Sequence, residues 1–178
     1  MNSLDGYEAV VYDLDGTLIN LVVDWQAVAS ELATRLRRAG VDPDGLTSWE
    51  LLDAGENAGI GDELEALIAS HERAGARRSK PLALASGLPK IDVPVAVCSL
   101  NCEAACTIAL ERHDVATYVE TVIGRDSVPT RKPDPEPLLA ALDPLNVEPA
   151  EAVFVGDSER DAVTAERAGT AFQWVEEG

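Results

Sequence analysis

The sequence predicts an α/β protein built on a doubly wound parallel sheet, with a small helical unit inserted after the first strand. A short Val-rich run near the start ends in acidic residues and a glycine, and the second half of the chain alternates strand and helix patterns. Between them lie three successive helical patterns with no strand pattern among them. Such alternation places helices on both faces of a parallel sheet.

The first strand is predicted from Glu8 to Asp13, because this short apolar run breaks into a loop at Gly16. The hydrophobic period then changes to that of a helix. Asp24 can cap this helix, and Gly40 can end it. The apolar positions at helical spacing are Trp25, Val28, Ala29, Leu32 and Leu36.

Two further helices complete the inserted unit. Thr47 or Ser48 can cap the second helix. Asp62 opens the third, which fades in the basic stretch at Arg77 and Arg78. A linker rich in Pro, Gly and Ser, at residues 79–94, is expected to return the chain to the core.

From Asp92 onward, strands and helices alternate as a parallel sheet requires. The strands are predicted at Val95 to Leu100, Tyr118 to Ile123, Ala152 to Val155 and Ala171 to Val175, and the helices at Glu103 to Arg112, Pro135 to Leu142 and Glu159 to Ala168. We therefore expect an α/β core formed by residues 1–19 and 87–178. Residues 20–86 form the helical insertion.

The charge balance excludes several classes of partner. There are 32 acidic residues against 14 basic ones, and the resulting net charge of -18 repels nucleic acid and anionic membrane surfaces. The acidic residues are spread along the chain and lysine is scarce. This pattern indicates adaptation to high intracellular salt, which screens self-repulsion, although an ordinary acidic protein is the alternative.

The cysteines indicate a reducing compartment. Cys98, Cys102 and Cys106 are odd in number and clustered, so they make a poor disulfide framework. We expect buried, reduced thiols and a cytoplasmic location. The chain shows no signal-like start and no apolar run long enough to span a membrane, and its oligomeric state is left open.

Carboxylate and hydroxyl groups recur where the predicted strands end, which is the edge at which open parallel sheets bind ligands. Asp13 and Asp15 follow the first strand, Ser99 lies at the end of the second, and Asp157 follows a later one. Each aspartate alone is typical of a turn or helix cap. Together they predict a Mg²⁺ site, because a divalent cation relieves the repulsion between neighbouring carboxylates and leaves room for a phosphate ligand.

Lys132 is the candidate for a cationic phosphate contact. It is one of only three lysines, and it stands beside Pro133 in a loop before a helix, where a rigid backbone can aim it inward. Phosphoryl transfer needs cationic and hydrogen-bonding groups around the transferred oxygens. Ser99 can donate its hydroxyl, assisted by backbone N–H groups at the start of the next helix.

Four segments resemble, in order and spacing, the motifs of the haloacid dehalogenase (HAD) superfamily, and most closely its phosphoglycolate-phosphatase-like branch. They are VVYDLDGTL (Val10 to Leu18), VCSLN (Val97 to Asn101), RKPDPEPLL (Arg131 to Leu139) and VFVGDSERDAVTAERAG (Val153 to Gly169). The resemblance covers the predicted core and implies a HAD-like fold with the insertion as a helical cap. It also implies a Mg²⁺-dependent phosphatase that hydrolyses a small phosphate monoester through an aspartyl-phosphate intermediate.

The resemblance assigns roles to individual residues. It implies that Asp13 is the nucleophile that attacks phosphorus and is also a magnesium ligand. Asp15 would be the general acid for the leaving alcohol and then the base that activates water, with its backbone carbonyl on the metal. Ser99 and Lys132 would hold the phosphoryl oxygens.

The last motif completes the implied metal site. Asp157 would bind Mg²⁺, and Asp161, one helical turn later, would orient a metal-bound water or Lys132. Within the superfamily the residue at position 15 separates chemistries, because an alcohol leaving group needs a proton that a halide does not. Asp15 therefore makes the chain look like a phosphatase or phosphomutase and unlike a dehalogenase.

Two alternatives remain open at this stage. A phosphosugar mutase of the same superfamily shares the motifs, and a binding or signalling module could accept a phosphoryl group on Asp13 without turnover. Leu100 separates Ser99 from Asn101, so Asn101 is not assigned as a phosphate contact. The insertion offers cations that could bind a substrate carboxylate, and phosphoglycolate is suggested by the resemblance alone. These cations are Arg35, His71, Arg73, Arg77 and Arg78.

Overall fold

A computed structural model describes residue 4 and residues 6–175. The strands are β1 (Ala9–Tyr12), β2 (Ile19–Asn20), β3 (Lys80–Pro81), β4 (Val95–Cys98), β5 (Thr121–Ile123), β6 (Ala152–Gly156) and β7 (Ala171–Trp174). The helices are α1 (Trp25–Arg38), α2 (Ser48–Asn57), α3 (Gly61–Ala76), α4 (Glu103–Arg112), α5 (Glu136–Leu142) and α6 (Glu159–Ala168). Five strands form one sheet in the order β5-β4-β1-β6-β7.

The first strand lies at the centre of this sheet. Val10 is paired with Val95 of β4 on one side and with Val153 of β6 on the other, and all neighbouring strands in the sheet are parallel. The chain builds outward from β1 in both directions, so the strand order reverses there. The predicted doubly wound α/β fold is therefore confirmed.

Separate apolar clusters cover the two faces of the sheet. Val10 and Tyr12 belong to the cluster that includes α4, whereas Ala9 and Val11 belong to the cluster that includes α5 and α6. This division follows from the alternation of side chains along a strand. Because both faces are covered, every residue of the three central strands β1, β4 and β6 is buried, which agrees with the apolar runs that predicted them.

Local capping explains where the inserted helices begin. The Asp24 side chain accepts a hydrogen bond from the first turn of α1, and Thr47 and Glu50 form a capping box at the start of α2, as predicted. The third helix differs, because it begins at Gly61 without a side-chain cap. Asp62 lies in its first turn, where a negative charge is favourable to the helix dipole.

The three inserted helices share an apolar cluster of their own, and β2 pairs antiparallel with β3 at the base of the insertion. The buried members of the cluster are Val28, Leu32, Leu36, Leu51, Leu52, Leu64 and Ile68. α3 also contributes Ala69 and Ala76 to the main core beside α4. The third helix therefore belongs to both cores.

Two stretches and one residue differ clearly from the sequence predictions. The strand expected from Tyr118 begins only at Thr121, because residues 116–118 form a turn of 3-10 helix whose apolar composition resembles a strand. The expected linker at 79–94 contains β3 and a 3-10 helix, Ala83–Lys90. Trp25 was placed with the apolar positions of α1, but it is 44% exposed because it lies in the first turn of that helix.

The cysteines are buried and unpaired, as predicted. Burial raises the pKa of Cys98 to about 12 and that of Cys102 to about 11. Protonated thiols of this kind pack as small apolar groups. Within the part of the chain that the structure describes, no helix has both the length and the apolar character needed to cross a bilayer.

Candidate active site

The carboxyl end of the sheet holds the aspartates of the first loop. Asp13 directly follows β1 and is buried, and its Oδ1 accepts a hydrogen bond from the Leu14 N–H at 2.8 Å. Asp15 is half-buried, and its Oδ1 accepts from the Leu21 N–H at 2.8 Å. Backbone N–H groups of Leu14, in the same loop, and of Leu21, just after β2, therefore fix the two carboxylates.

Gly16 allows this loop to approach the loop that follows β6. Its φ angle is +82°, in the left-handed region, and a Cβ atom at this position would lie 2.1 Å from Oδ2 of Asp157. No side chain fits in that space. The glycine therefore places Asp157 against the loop that carries Asp13 and Asp15.

Lys132 lies in the loop before α5 and is 4% exposed. Its Nζ lies 2.6 Å from Oδ1 of Asp161 and 3.1 Å from Oδ1 of Asp13, and it donates to the Cys98 carbonyl at 3.2 Å. Burial alone would lower the pKa of Lys132, but the two carboxylates outweigh burial and raise it. A charged ammonium group therefore faces the candidate nucleophile.

The start of α6 supplies the other two carboxylates. Ser158 caps this helix and forms a capping box with Asp161. Oδ1 of Asp161 accepts from Lys132, and its Oδ2 accepts from the Ser158 hydroxyl at 2.7 Å, so both oxygens of this buried carboxylate are engaged. Asp157, just before the cap, is exposed.

Three of these carboxylates fit a divalent cation. Oxygen atoms of Asp13, Asp157 and Asp161 lie within 4.8 Å of one another. An oxygen-only set of this kind is the one that Mg²⁺ prefers. Because both oxygens of Asp161 are engaged with other groups, Asp13 and Asp157 are the carboxylates available to an ion.

The pKa values of the two aspartates that follow β1, Asp13 and Asp15, are both raised. Burial raises the pKa of Asp13 to about 7, although Lys132 lowers it in part. Burial also raises the pKa of Asp15, with smaller contributions from Asp157 and Glu72. The protonated form is the one a proton donor needs, whereas a cation beside Asp13 would favour the ionised form that a nucleophile needs.

Ser99 lies at the same edge, directly after β4, and is buried. Its Oγ accepts hydrogen bonds from the Asn101 N–H at 3.1 Å and from the Asn101 side-chain amide at 3.3 Å. The two Asn101 donors occupy the lone pairs of this oxygen, so the hydroxyl acts as the donor toward its other neighbours, which include the Cys106 thiol. Asn101, to which the sequence pattern assigns no role, therefore orients the Ser99 hydroxyl.

Trp49 of α2 lies where the insertion meets the core. The guanidinium carbons of Arg131 and Arg160 lie 5.4 and 5.6 Å from the centroid of its ring, within cation–π range. Arg131 also pairs with Asp53 of α2. Each arginine directly precedes a residue of the candidate site in the sequence, and a cavity of about 170 Å³ lies beside Arg131.

Three of the five cations suggested from the sequence are engaged elsewhere. Arg35 and His71 pair with carboxylates on the inserted helices, and Arg78 donates to a carbonyl at the base of the insertion. The core instead supplies Arg125 and Arg131 to the boundary with the insertion. In the sequence, only the position of Arg131 beside Lys132 indicated that an arginine of the core would lie at this boundary.

The site residues form a chemically coherent set. A carboxylate lies opposite a fixed ammonium group, a hydroxyl faces the same edge, and a second carboxylate has a raised pKa. Such a set can attack an electrophile that carries negatively charged oxygens and can then protonate its leaving group.

Comparison with known proteins agrees with this geometry. The family model of the haloacid dehalogenase-like hydrolases matches residues 84–175. A phosphoglycolate phosphatase from Cereibacter sphaeroides is 30% identical over 95% of this chain and 85% of its own length. Phosphoglycolate phosphatase 1 from Pseudomonas aeruginosa is 29% identical over 90% of this chain, but the chain spans only 66% of that protein.

Comparison with solved structures indicates the same family. A HAD-superfamily hydrolase of subfamily IA from Geobacter sulfurreducens matches with a TM-score of 0.64 and 25% identity, over 93% of this chain and 88% of that one. From the family model, the relatives and the shared fold, we conclude that this chain belongs to the haloacid dehalogenase-like hydrolases and is similar to their phosphoglycolate phosphatases.

Proposed function

We propose that the protein is a Mg²⁺-dependent phosphatase that hydrolyses a small phosphate monoester through an aspartyl-phosphate intermediate on Asp13. The observation that carries this proposal is the buried Lys132 ammonium, which lies 3.1 Å from Asp13 and 2.6 Å from Asp161 at the ligand-binding edge of the sheet. A carboxylate beside a fixed cation is suited to attack a phosphorus atom whose oxygens that cation neutralises.

The reaction has two steps. In the first, a carboxylate oxygen of Asp13 bonds to phosphorus while the bond from phosphorus to the leaving oxygen breaks, and Asp15 donates its proton to that oxygen. In the second, Asp15 takes a proton from water while the water oxygen bonds to phosphorus and the bond from phosphorus to the Asp13 oxygen breaks, which releases phosphate. Asp13 is then restored, and the net reaction is hydrolysis of an ester to an alcohol and phosphate.

Lys132 and Ser99 hold the phosphoryl oxygens during both steps. The ammonium group of Lys132 is fixed by Asp161, and the hydroxyl of Ser99 is oriented by Asn101. Both donors are in place before substrate arrives, so little reorganisation accompanies the reaction. This preorganisation supports the assignment of Asp161 as a residue that orients Lys132.

The oxygen ligands at this site explain why the reaction would need a cation. Asp13, Asp157 and the backbone carbonyl of Asp15 would hold Mg²⁺, which supplies positive charge beside the phosphoryl oxygens when bound. Without added charge, the carboxylates at this edge would repel a phosphate dianion more strongly than the Lys132 ammonium attracts it.

The relatives support a small substrate. Because several are named phosphoglycolate phosphatase, a phosphorylated hydroxy acid is the first ester to test. We further propose that residues 20–86 act as a cap over the core, which consists of residues 1–19 and 87–178. The contacts of Trp49 with Arg131 and Arg160 support this cap role, since they join the insertion to the loop before α5 and to the first turn of α6.

A panel of small phosphate esters, assayed with Mg²⁺ and again with a chelator, tests the proposal. We expect one or a few esters to be hydrolysed with Mg²⁺ and none with the chelator. The Asp13→Asn variant is the matched control, because it keeps the shape of the site and removes the nucleophile. Hydrolysis that persists in this variant, or no hydrolysis of any ester by the unmodified protein, would contradict the proposal.

A further inference from the structure

A buried charge cluster outside the proposed catalytic set joins the insertion to the core. Glu72 of α3 is 1% exposed and Arg125, in the loop after β5, is 7% exposed. The two side chains share a two-point ion pair, with contacts of 2.6 and 3.0 Å. Glu65 lies two helical turns before Glu72 on the same face of α3, is partly exposed, and pairs with Arg125 at 2.6 Å.

This cluster also holds the backbone that follows Ser99. A guanidinium N–H of Arg125 donates to the Leu100 carbonyl at 2.6 Å, and the backbone N–H of Arg125 donates to the Asn101 carbonyl at 2.9 Å. The Glu72 carboxylate accepts the Cys102 N–H at 2.9 Å. Three consecutive residues after Ser99 are therefore held by the Glu72–Arg125 pair.

Simple attachment of the insertion does not require this arrangement. A buried ion pair is a weak source of net stability, because desolvation offsets most of its attraction. Here two carboxylates face one guanidinium, in a protein that already carries a net charge of -18. What the paired side chains provide, and apolar packing would not, is directional contact with two backbone groups of one loop, the Leu100 carbonyl and the Cys102 N–H.

We propose that Glu72 is a positioning residue for phosphate binding. Acting through Arg125 and through the Cys102 amide, it holds residues 99–102 in the conformation in which Asn101 orients the Ser99 hydroxyl. The insertion thus supports the phosphate-binding loop of the core from α3. This inference rests on the proposed function for the role of Ser99, but its structural part does not depend on turnover.

The test compares Glu72→Ala and Glu72→Gln with Glu65→Ala and Glu65→Gln. Glu65 is the matched control, because it binds the same arginine but makes no contact with residues 99–102 in the described structure. Two quantities are measured on folded protein: hydrogen exchange at the Cys102 amide, and the inhibition constant of inorganic phosphate. Melting temperature and the separate values of kcat and KM are recorded for each variant.

We expect Glu72→Ala to exchange the Cys102 amide at least about 10-fold faster and to bind phosphate at least about 10-fold more weakly, since misplacement by about 1 Å can cost up to about 10²-fold. Glu72→Gln should show a smaller change in the same direction, because its amide oxygen can still accept the Cys102 N–H. The Glu65 variants should retain the phosphate affinity of the unmodified protein.

Other results would overturn the inference. If the Glu72 and Glu65 variants lose melting temperature alike and keep phosphate affinity and Cys102 protection, Glu72 is only structural. If the Glu72 variants do not fold, hydrogen exchange at the Cys102 amide is measured in the unmodified protein instead. An amide that exchanges there as fast as those of exposed loops would contradict the proposal. A protein that hydrolyses no ester, yet shows Glu72-dependent protection of Cys102, would refute the phosphatase proposal and leave the loop contact standing.

Discussion

Gly16→Ala tests whether the close approach of two loops is what forms the proposed Mg²⁺ site. The substituted residue would keep a φ angle of +82° and would place its Cβ atom 2.1 Å from Oδ2 of Asp157. Real Cβ contacts essentially never fall below 3.0 Å, so Asp157 must move by about 1 Å. The prediction is a displaced metal ligand on an otherwise intact fold.

The expected magnitudes follow from two separate costs. A left-handed conformation costs an ordinary residue about 1–2 kcal/mol, and in a chain of this size each lost kcal/mol lowers the melting temperature by about 2–4 °C. We therefore expect a decrease of about 2–8 °C. Because Mg²⁺ tolerates little distortion and a misplacement of about 1 Å can cost about 10²-fold, kcat should fall about 10- to 100-fold and the half-saturating Mg²⁺ concentration should rise.

Gly169→Ala separates the two costs. Gly169 follows α6 with a φ angle of +81°, and a Cβ atom there would meet nothing within 4 Å. This control should lose a similar amount of melting temperature but keep its Mg²⁺ requirement and kcat. The assays are Mg²⁺ titrations of ester hydrolysis and thermal unfolding of both variants. An equal loss of activity in both, or an unchanged Mg²⁺ requirement in Gly16→Ala, would refute the reasoning.

Three further predictions concern the chemistry and the charge of the protein. Asp13→Asn should abolish turnover, whereas Asp15→Asn should lose about 10² to 10⁴ in rate on alkyl esters and accumulate phospho-enzyme with p-nitrophenyl phosphate, which needs no proton on its leaving group. Mass spectrometry should find the phosphoryl group on the Asp13 peptide, and a label on Ser99 would contradict the mechanism. Excess Ca²⁺ should suppress the Mg²⁺-dependent rate, because Ca²⁺ takes more ligands at longer distances; equal turnover with either ion argues against this. The melting temperature should rise between about 0.1 M and about 2 M KCl as self-repulsion is screened, and a flat profile would remove the hypothesis of adaptation to salt.

Local signals predicted most of the fold. The caps at Asp24 and Thr47 were found because a capping residue bonds to its own first turn and needs no distant partner. The strand predicted from Tyr118 was too long, since apolar residues in a 3-10 turn have no distinguishing period. The β2–β3 ribbon was missed because a two-residue strand is too short for alternation to appear.

The candidate site was predicted for a different reason. Asp13, Ser99 and Asp157 follow strands of one parallel sheet, and topology brings the ends of such strands together even when they are far apart in sequence. No comparable rule of topology predicts that Glu72 and Arg125 form a pair. These residues are 53 positions apart, and they meet only because α3 packs on α4, which no local pattern specifies.

The fluorescence of Trp49 can report on the boundary between the insertion and the core. The chain has three tryptophans, and Trp25 and Trp174 are 44% and 50% exposed. Trp49 instead lies within about 6 Å of the guanidinium groups of Arg131 and Arg160 of the core, so the environment of its indole depends on how far the insertion stands from the core. With Trp25 and Trp174 replaced by phenylalanine, the emission of Trp49 would follow any opening of that boundary in solution, without an attached dye.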